Sequence, residues 1–435
     1  MYPNILMKRM ISDQSSDLFK NAEPGQPPPF RYRFLYYITH VDNIPSILQN
    51  GILSHEEIEK RGIKFTAIYN KDVVNLRKGK KTPDNKSLWY YANLYLQPRN
   101  PMMYVVKRMI QAKQPDLEEL AVIVCFRGPA YETPGALITD GNAASSGTTI
   151  YPISKRNEVW ERIRDVDGLE YWKEEDGSKR RIMAEILIPE RYAPEHIQSI
   201  LVPSDSSKEK VESLLKNSQS QLHVIVDPRT FFSPDYEKKL TKYLTLVRGD
   251  MFFSGLHTLT VSVNTKGVMG KGLASRAKYQ FPDVYIHYQD ACRSKRLKLG
   301  RPVLYKREAA LDTQLADSPS QIDEPNNQTW FLLFATKDDW RAPAKKEGII
   351  EGLEWIVNNY VIEGIKSLAI PALGCGLGRL KWSEMGPILC KYLSKLEIPV
   401  QLYIPAERPI PLDQLTKKFL LGENLDGNKW FETNN

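Results

Sequence analysis

The sequence predicts two domains, an α+β half followed by an α/β half, and three observations lead there. At 435 residues the chain is longer than one hydrophobic core comfortably serves. Its second half holds two glycine loops, within residues 261–274 and 368–382, each entered from an apolar strand and left through a helical pattern. Between the halves, residues 227–242 are rich in proline, serine and charge, as a boundary is.

Taken in order, residues 1–29 end in Pro-Gly-Gln-Pro-Pro-Pro and read as a flexible, extended lead-in. A first domain spans 30–232. Its opening run FLYYITH is aromatic and β-branched, a strand; in the next segment Ile44, Ile47 and Leu48 share a helical face that Gly51 caps. Further strands are expected at 120–126, 180–188, 199–203 and 221–226, so strands dominate this half. Residues 233–243 read as a linker ending in a short helical stretch. The second domain, 244–408, alternates strands and helices around a polar surface loop at 312–329, and the tail 409–435 carries no legible pattern.

Hydrophobic content of 42% and charged content of 26% belong to an ordinary soluble globular protein. The net charge of +8 weakly favours an anionic partner such as nucleic acid. Cys125, Cys292, Cys375 and Cys390 are scattered without zinc spacing, so no metal site is expected and a reducing compartment suits them. No apolar run approaches the roughly 18 residues of a membrane helix, and the start lacks a signal-peptide core. A cytoplasmic location follows as an expectation.

The chemistry starts at the first glycine loop. The strand 259–263 stops at Asn264, and Gly267, Gly270, Lys271 and Gly272 precede a helix expected from Leu273. Missing Cβ atoms let a ligand reach backbone N–H groups, and the helix points its positive end at any anion there. The second loop repeats the layout with Gly374, Gly376 and Gly378 before a helix that holds Trp382. Two such loops can grip a diphosphate from both sides.

Gly249-Asp250, VNTKGVMGKGLA, ATKDDWR and ALGCGLGRLKW, in this order, resemble a macro domain, specifically the DarG branch that removes ADP-ribose from DNA. The resemblance implies a three-layer α/β fold with a mixed sheet and an ADP-ribose cleft. In it Asp250, with Met251 beside it, holds the adenine and Asn264 the distal ribose. Val268, Met269, Gly270 and Gly272 on one loop, and Gly374, Cys375, Gly376, Leu377 and Gly378 on the other, hold the diphosphate. Thr336, with Lys337, Trp340 and Arg341, lies on a third loop near the ligand, and Lys271 is the catalytic lysine. From the residues alone, Lys271 reads equally as a nucleophile, an acid or base, or an electrostatic clamp.

In the first half YYITHVDNIPSILQNGIL, DVVNLRK, YANLYLQPRNPMMY and RRIMAEILIP resemble DarT, the DNA ADP-ribosyltransferase toxin whose antidote is DarG, over about residues 34–190. The resemblance implies NAD as substrate, contacted by Tyr37, Ile38, Thr39, His40, Asn43 and Ser46, with Arg77 and Glu185 catalytic and the loop 174–181 reading DNA. A carboxylate at 185 that faces a cleft can bond a ribose hydroxyl and stabilise positive charge as nicotinamide departs; otherwise it is a solvated residue on an edge strand. A guanidinium stays protonated, so Arg77 is a clamp rather than a base. His40 reads as a ligand or a cap. The basic runs 77–81 and 179–181 read as phosphate contacts or solvated faces, and Trp89, Tyr90, Tyr91 and Tyr95 as base-stacking platforms or core.

The combined expectation is a fused toxin and antitoxin that acts on single-stranded DNA and on ADP-ribosylated DNA. The first domain transfers ADP-ribose from NAD to a base, thymidine by resemblance, and the second hydrolyses it off. Two alternatives stay open: an ADP-ribose reader with an inactive nucleic-acid-binding first domain, and the same two activities on another base, RNA or protein.

Overall fold

The computed structural model describes residues 34–68, 76–113, 119–216, 222–317, 322, 328–405 and 409–422; the expected lead-in 1–29 and residues 423–435 of the tail lie outside them. The chain divides near residue 226 into two compact units, the short segment 107–112 grouping with the second.

The first unit contains β1 (Phe34–His40), β2 (Ile52–Leu53), β3 (Tyr91–Tyr95), β4 (Leu120–Phe126), β5 (Leu137–Thr139), β6 (Ile150–Pro152), β7 (Glu185–Pro189), β8 (Arg191–Tyr192), β9 (Ile197–Val202) and β10 (His223–Val226). Eight of these form one sheet in the order β10-β9-β4-β1-β3-β7-β5-β6, and β2 pairs with β8 apart from it. Only β9 and β10 run parallel in the large sheet. Its centre is apolar on both faces: six consecutive residues of β4 are buried. The helix after β1 covers Ile44–Asn50 and buries Ile44 and Ile47, with Gly51 at its C-cap.

The run 180–188 is not one strand. Residues Ser178–Arg181 form a helical turn, and β7 begins only at Glu185. The amides of Arg181, Ile182, Met183 and Ala184 are all spent on carbonyls three or four residues back, leaving none for a strand ladder. The change matters because it puts Glu185 at the mouth of a strand instead of within one.

The second unit contains β11 (Tyr236–Lys239), β12 (Leu244–Arg248), β13 (Thr258–Asn264), β14 (Val303–Tyr305), β15 (Trp330–Lys337), β16 (Leu368–Pro371) and β17 (Val400–Tyr403). They form one sheet, β11-β12-β17-β16-β13-β15-β14, with five parallel strands inside and an antiparallel strand at each edge. Alternation along β15 shows the layering. Phe331 meets Phe281, which joins helices Gly272–Gln280 and Pro282–Arg293, on one face, at 4.9 Å between ring centres. Phe334 turns to the other face, where a Cβ on Gly352 of helix Lys346–Glu363 would lie 2.3 Å from its ring.

Three local expectations change here. The stretch 233–243 is no extended linker ending in a helix: it supplies β11, whose alternating half-buried and exposed side chains suit an edge strand with charges outward. The stretch 312–329 begins inside the helix Leu311–Leu315, with Leu311, Asp312 and Leu315 buried. Within the tail, Leu415, Leu420 and Leu421 join the core of the second unit, and the residues 318–321 and 323–327 lie outside the described set.

Two candidate active sites

In the first unit the site is built around Glu185. Register carries Tyr36 of β1 to Tyr95 of β3 and Tyr95 to Glu185 of β7, so these three stand in one row across adjacent strands and on one face. Arg77, on the helical turn 76–79, reaches the carboxylate with both terminal nitrogens, Nη1 to Oε1 and Nη2 to Oε2, each at 3.2 Å. The Ala143 amide donates to Oε1 at 2.8 Å. Glu185 is wholly buried and the Arg77 side chain only 11% exposed, which rules out a solvent-facing residue on an edge strand. Of the two oxygens, Oε2 takes one of these donors and Oε1 two, so Oε2 keeps acceptor capacity for a hydroxyl.

The Ala143 amide was not legible as a site residue. It belongs to the loop 140–149, DGNAASSGTT, whose composition says only that it turns. Thr139 ties this loop to the strand start: its hydroxyl accepts from the Glu185 amide at 2.9 Å and donates to the Gly141 carbonyl at 2.6 Å. Lys80 reaches the same loop through the Ser145 carbonyl, and burial, with Arg77 nearby, holds its amine below the usual lysine range.

The expected NAD contacts divide. Alternation puts Ile38 and His40 on the Glu185 face with Tyr36, and Tyr37 and Thr39 on the reverse face, where burial pushes the Tyr37 phenol up to about 12. His40 acts as a cap: Nδ1 accepts from the Asp42 amide at 3.1 Å, leaving Nε2 to meet Glu119 at 3.2 Å. Asn43 clasps the backbone of Thr66 in both directions, at 2.8 Å each way. Ser46 sits on the following helix, where its hydroxyl accepts from Asn50.

Trp89, Tyr91 and Tyr95 are buried and Tyr90 half-buried, the core role rather than a platform for bases. Trp89 stacks on His55 at 4.3 Å; burial, then the charge of Arg77, holds that imidazole down at about 4. The run 179–181 is committed internally: Lys179 pairs with Glu174, Arg180 with Asp140 and Arg181 with Asp165.

In the second unit the loops after β12, β13, β15 and β16 gather at the carboxyl ends of parallel strands, where α/β sheets open a crevice. Lys271 occupies the N-cap of helix Gly272–Gln280, one residue earlier than expected, and is exposed without an ion pair among the described residues. Two positive ends at one place, ammonium and helix terminus, favour an anion. Asn264 folds its own loop: Oδ1 accepts from the Lys266 amide at 2.9 Å and Nδ2 donates to the Val268 carbonyl at 2.6 Å. The two glycine loops touch, since a Cβ on Gly272 would lie 3.6 Å from Leu377. Lys337 ties the third loop to the second through the Leu377 carbonyl at 3.1 Å. Asp250 is engaged by Arg276 at 2.6 Å, a partner the sequence did not single out.

Met251, Met269, Cys375 and Thr336 are buried beneath these loops, Val268 and Leu377 stand exposed at the rim, and Trp340 is exposed on the third loop. Thr336 bonds Ser262 at 3.1 Å inside the sheet, not the cleft. Gly376 is exposed and Gly378 buried; Arg341 lies over the Trp340 ring.

The glycines are not equivalent. A Cβ on Gly374 would meet Leu380 at 2.6 Å with φ at +81°, whereas one on Gly270 would meet nothing within 4 Å. Gly374→Ala is therefore expected to cost about 1–3 kcal/mol of stability. Gly270→Ala should unfold like the wild type and, on a loop expected to hold a diphosphate, bind ADP-ribose more weakly, because its open side would meet the ligand. Thermal unfolding and calorimetry with ADP-ribose separate the two; a stability loss at Gly270 would count against its place in the cleft.

Among the described residues no group of three or more His, Cys, Asp or Glu could hold a metal, and no helix is long and apolar enough to cross a membrane.

Comparison with known proteins gives the family of the two halves. Residues 36–232 match the family model described as ssDNA thymidine ADP-ribosyltransferase, DarT. A DNA ADP-ribosyl transferase–DNA ADP-ribosyl glycohydrolase fusion protein of Thermosipho africanus is 54% identical over 391 residues, 90% of this chain and 99% of that protein. The structure of Thermosipho africanus DarTG in complex with ADP-ribose superposes with a TM-score of 0.79 at 52% identity, over 90% of this chain and 100% of that one. A DNA ADP-ribosyl glycohydrolase of Thermus aquaticus is 34% identical over 167 residues, 38% of this chain and 42% of that protein.

Proposed function

We propose, for a chain that belongs to the family of fused DNA ADP-ribosyl transferase and DNA ADP-ribosyl glycohydrolase proteins, that Arg77 and Glu185 write ADP-ribose onto single-stranded DNA and Lys271 erases it. The reading rests above all on the buried two-point pair between Arg77 and Glu185, with a backbone amide on the same carboxylate. The writing domain is taken as 30–232 and the erasing domain as 244–408.

In the forward step NAD loses nicotinamide, which leaves with the electrons of its bond to the ribosyl carbon. Positive charge grows on that carbon, and the Glu185 carboxylate stabilises it by holding the adjacent hydroxyl. Because Glu185 has no exposed surface, Arg77 shifts one arm to let the hydroxyl reach the acceptor capacity left on Oε2. The freed guanidinium arm can hold thymine's ring as its nitrogen loses its proton to solvent water and bonds to the carbon. Ile38 and His40, on the Glu185 face, border the dinucleotide. Tyr37, Thr39, Asn43 and Ser46 shape that border from behind and beside it.

In the reverse step the diphosphate lies against Gly270 and the end of helix Gly272–Gln280. Lys271 gives a proton to the departing base while water adds its hydroxide to the ribosyl carbon and returns its proton to the lysine. Asp250, aligned by Arg276, stands where the adenine end would lie. The cytoplasm, which supplies NAD and keeps thiols reduced, suits a chain whose four cysteines are free.

The test uses the full chain carrying Lys271→Ala, NAD and a single-stranded oligonucleotide with one thymidine. The oligonucleotide should gain the mass of one ADP-ribosyl group, and one lacking thymidine should gain none. Equal gain on both would move the target to another base, and no gain on any sequence would leave an ADP-ribose reader.

A further inference from the structure

The loop 140–149 has a plug. Arg180 passes beside Gly141 and Gly147, where Cβ atoms would lie 2.4 Å from its Nη1 and 3.6 Å from its Cδ. Its Nη1 donates to the Asp140 carboxylate at 2.9 Å, the Asp140 carbonyl at 3.1 Å and the Thr148 hydroxyl at 3.1 Å, so it joins the two ends of the loop. Its own carbonyl accepts from the Asn142 amide at 3.0 Å. Asp140 is almost fully buried, which makes the pair hard to replace by water. One residue beyond Asn142 is Ala143, whose amide orients the Glu185 carboxylate.

We propose that Arg180 is a positioning residue of the transferase: it holds the loop 140–149 so that the Ala143 amide keeps Glu185 turned to the riboside. The inference rests on the reading of Glu185 above. It departs from the expectation that this basic stretch touches DNA phosphates. Its guanidinium is spent on the loop through one terminal nitrogen, a point that a lysine, its ammonium on a stem one atom shorter, does not fully reach. The carboxylate itself would still be present in an Arg180 variant, but without the amide its rotamer is no longer fixed, and a displacement on the order of 1 Å costs about a hundredfold in rate.

The experiment measures the initial rate of nicotinamide release by the full chain with thymidine oligonucleotide in excess, where erasure does not limit the supply of acceptor. Arg180→Gln, Arg180→Lys and Gly141→Ala are compared, the last crowding both the guanidinium and the Arg180 carbonyl without changing the charge. The expected result is a kcat lower by about a hundredfold for Arg180→Gln, with KM for the oligonucleotide and its salt dependence unchanged. Arg180→Lys and Gly141→Ala should fall between. A phosphate contact would instead raise that KM and flatten its salt dependence at unchanged kcat, which overturns the proposal, as does wild-type kcat in Arg180→Lys and Gly141→Ala together. Should Arg180→Gln fail to show the NAD-induced rise in Tm of a folded unit, the two milder variants decide. Glu185→Gln runs beside them: release surviving there sinks the reading of the site, whereas release surviving only in the Arg180 and Gly141 variants sinks this inference alone.

Discussion

Given NAD and a trace of thymidine oligonucleotide, the wild-type chain is expected to release many nicotinamides per thymidine, while Lys271→Ala stops near one. Writing forms a bond between the ribosyl carbon and the base and expels nicotinamide; erasing breaks that bond with water and restores the DNA. The sum is hydrolysis of NAD to ADP-ribose and nicotinamide, with DNA unchanged. One polypeptide keeps the two activities at an effective concentration of about millimolar, so the cycle needs no second encounter from dilute solution. Nicotinamide followed by chromatography, beside oligonucleotide mass, reads both halves. If Lys271→Ala turned over as many times as the wild type, the lysine would not be the erasing group. If the wild type stopped after one release with modified DNA accumulating, the second unit would be a reader.

The second large effect is at Glu185. Glu185→Gln keeps shape and one acceptor but loses the charge, and transfer should fall by about a thousandfold, the scale of removing one preorganised electrostatic partner. Glu185→Ala adds a structural penalty, because Arg77 is then a poorly exposed cation without its carboxylate. Breaking such a pair costs about 3–5 kcal/mol. For a unit of this size that is a fall in Tm of roughly 6–20 °C. Transfer rates and unfolding curves for both variants separate chemistry from stability. A Glu185→Gln protein that still writes at the wild-type rate would remove the carboxylate from the mechanism.

What could be read in advance follows the period of the signal. The strand Phe34–His40, the helix after it, Leu120–Phe126 and both glycine loops were legible because apolar spacing or punctuation marks them. Glu185 and Lys271 are singled out by motifs rather than by pattern. Ala143 acts through its main chain, which no residue letter announces, and Arg180 works only because the chain returns to Asp140 and Thr148, about forty and thirty positions earlier. Edge strand β11 hid because its lysines and glutamate look like linker. The same holds for Gly374: its sequence neighbours say phosphate loop, while Leu380 and Ile349 show a close approach within the protein.

The placement of β17 reaches beyond the folded molecule. Val400–Tyr403 lies between β12 and β16 within its sheet, so the eraser cannot assemble until its last strand has been synthesised. The transferase sheet, by contrast, is complete once His223–Val226 has left the ribosome. At about 5–20 residues per second, translation leaves an interval on the order of ten seconds or more in which a nascent chain can carry a writer without its antidote. Messages cut short or stalled within that interval would yield a poison, and growth arrest on expressing a chain that stops at residue 390 is the sign to look for.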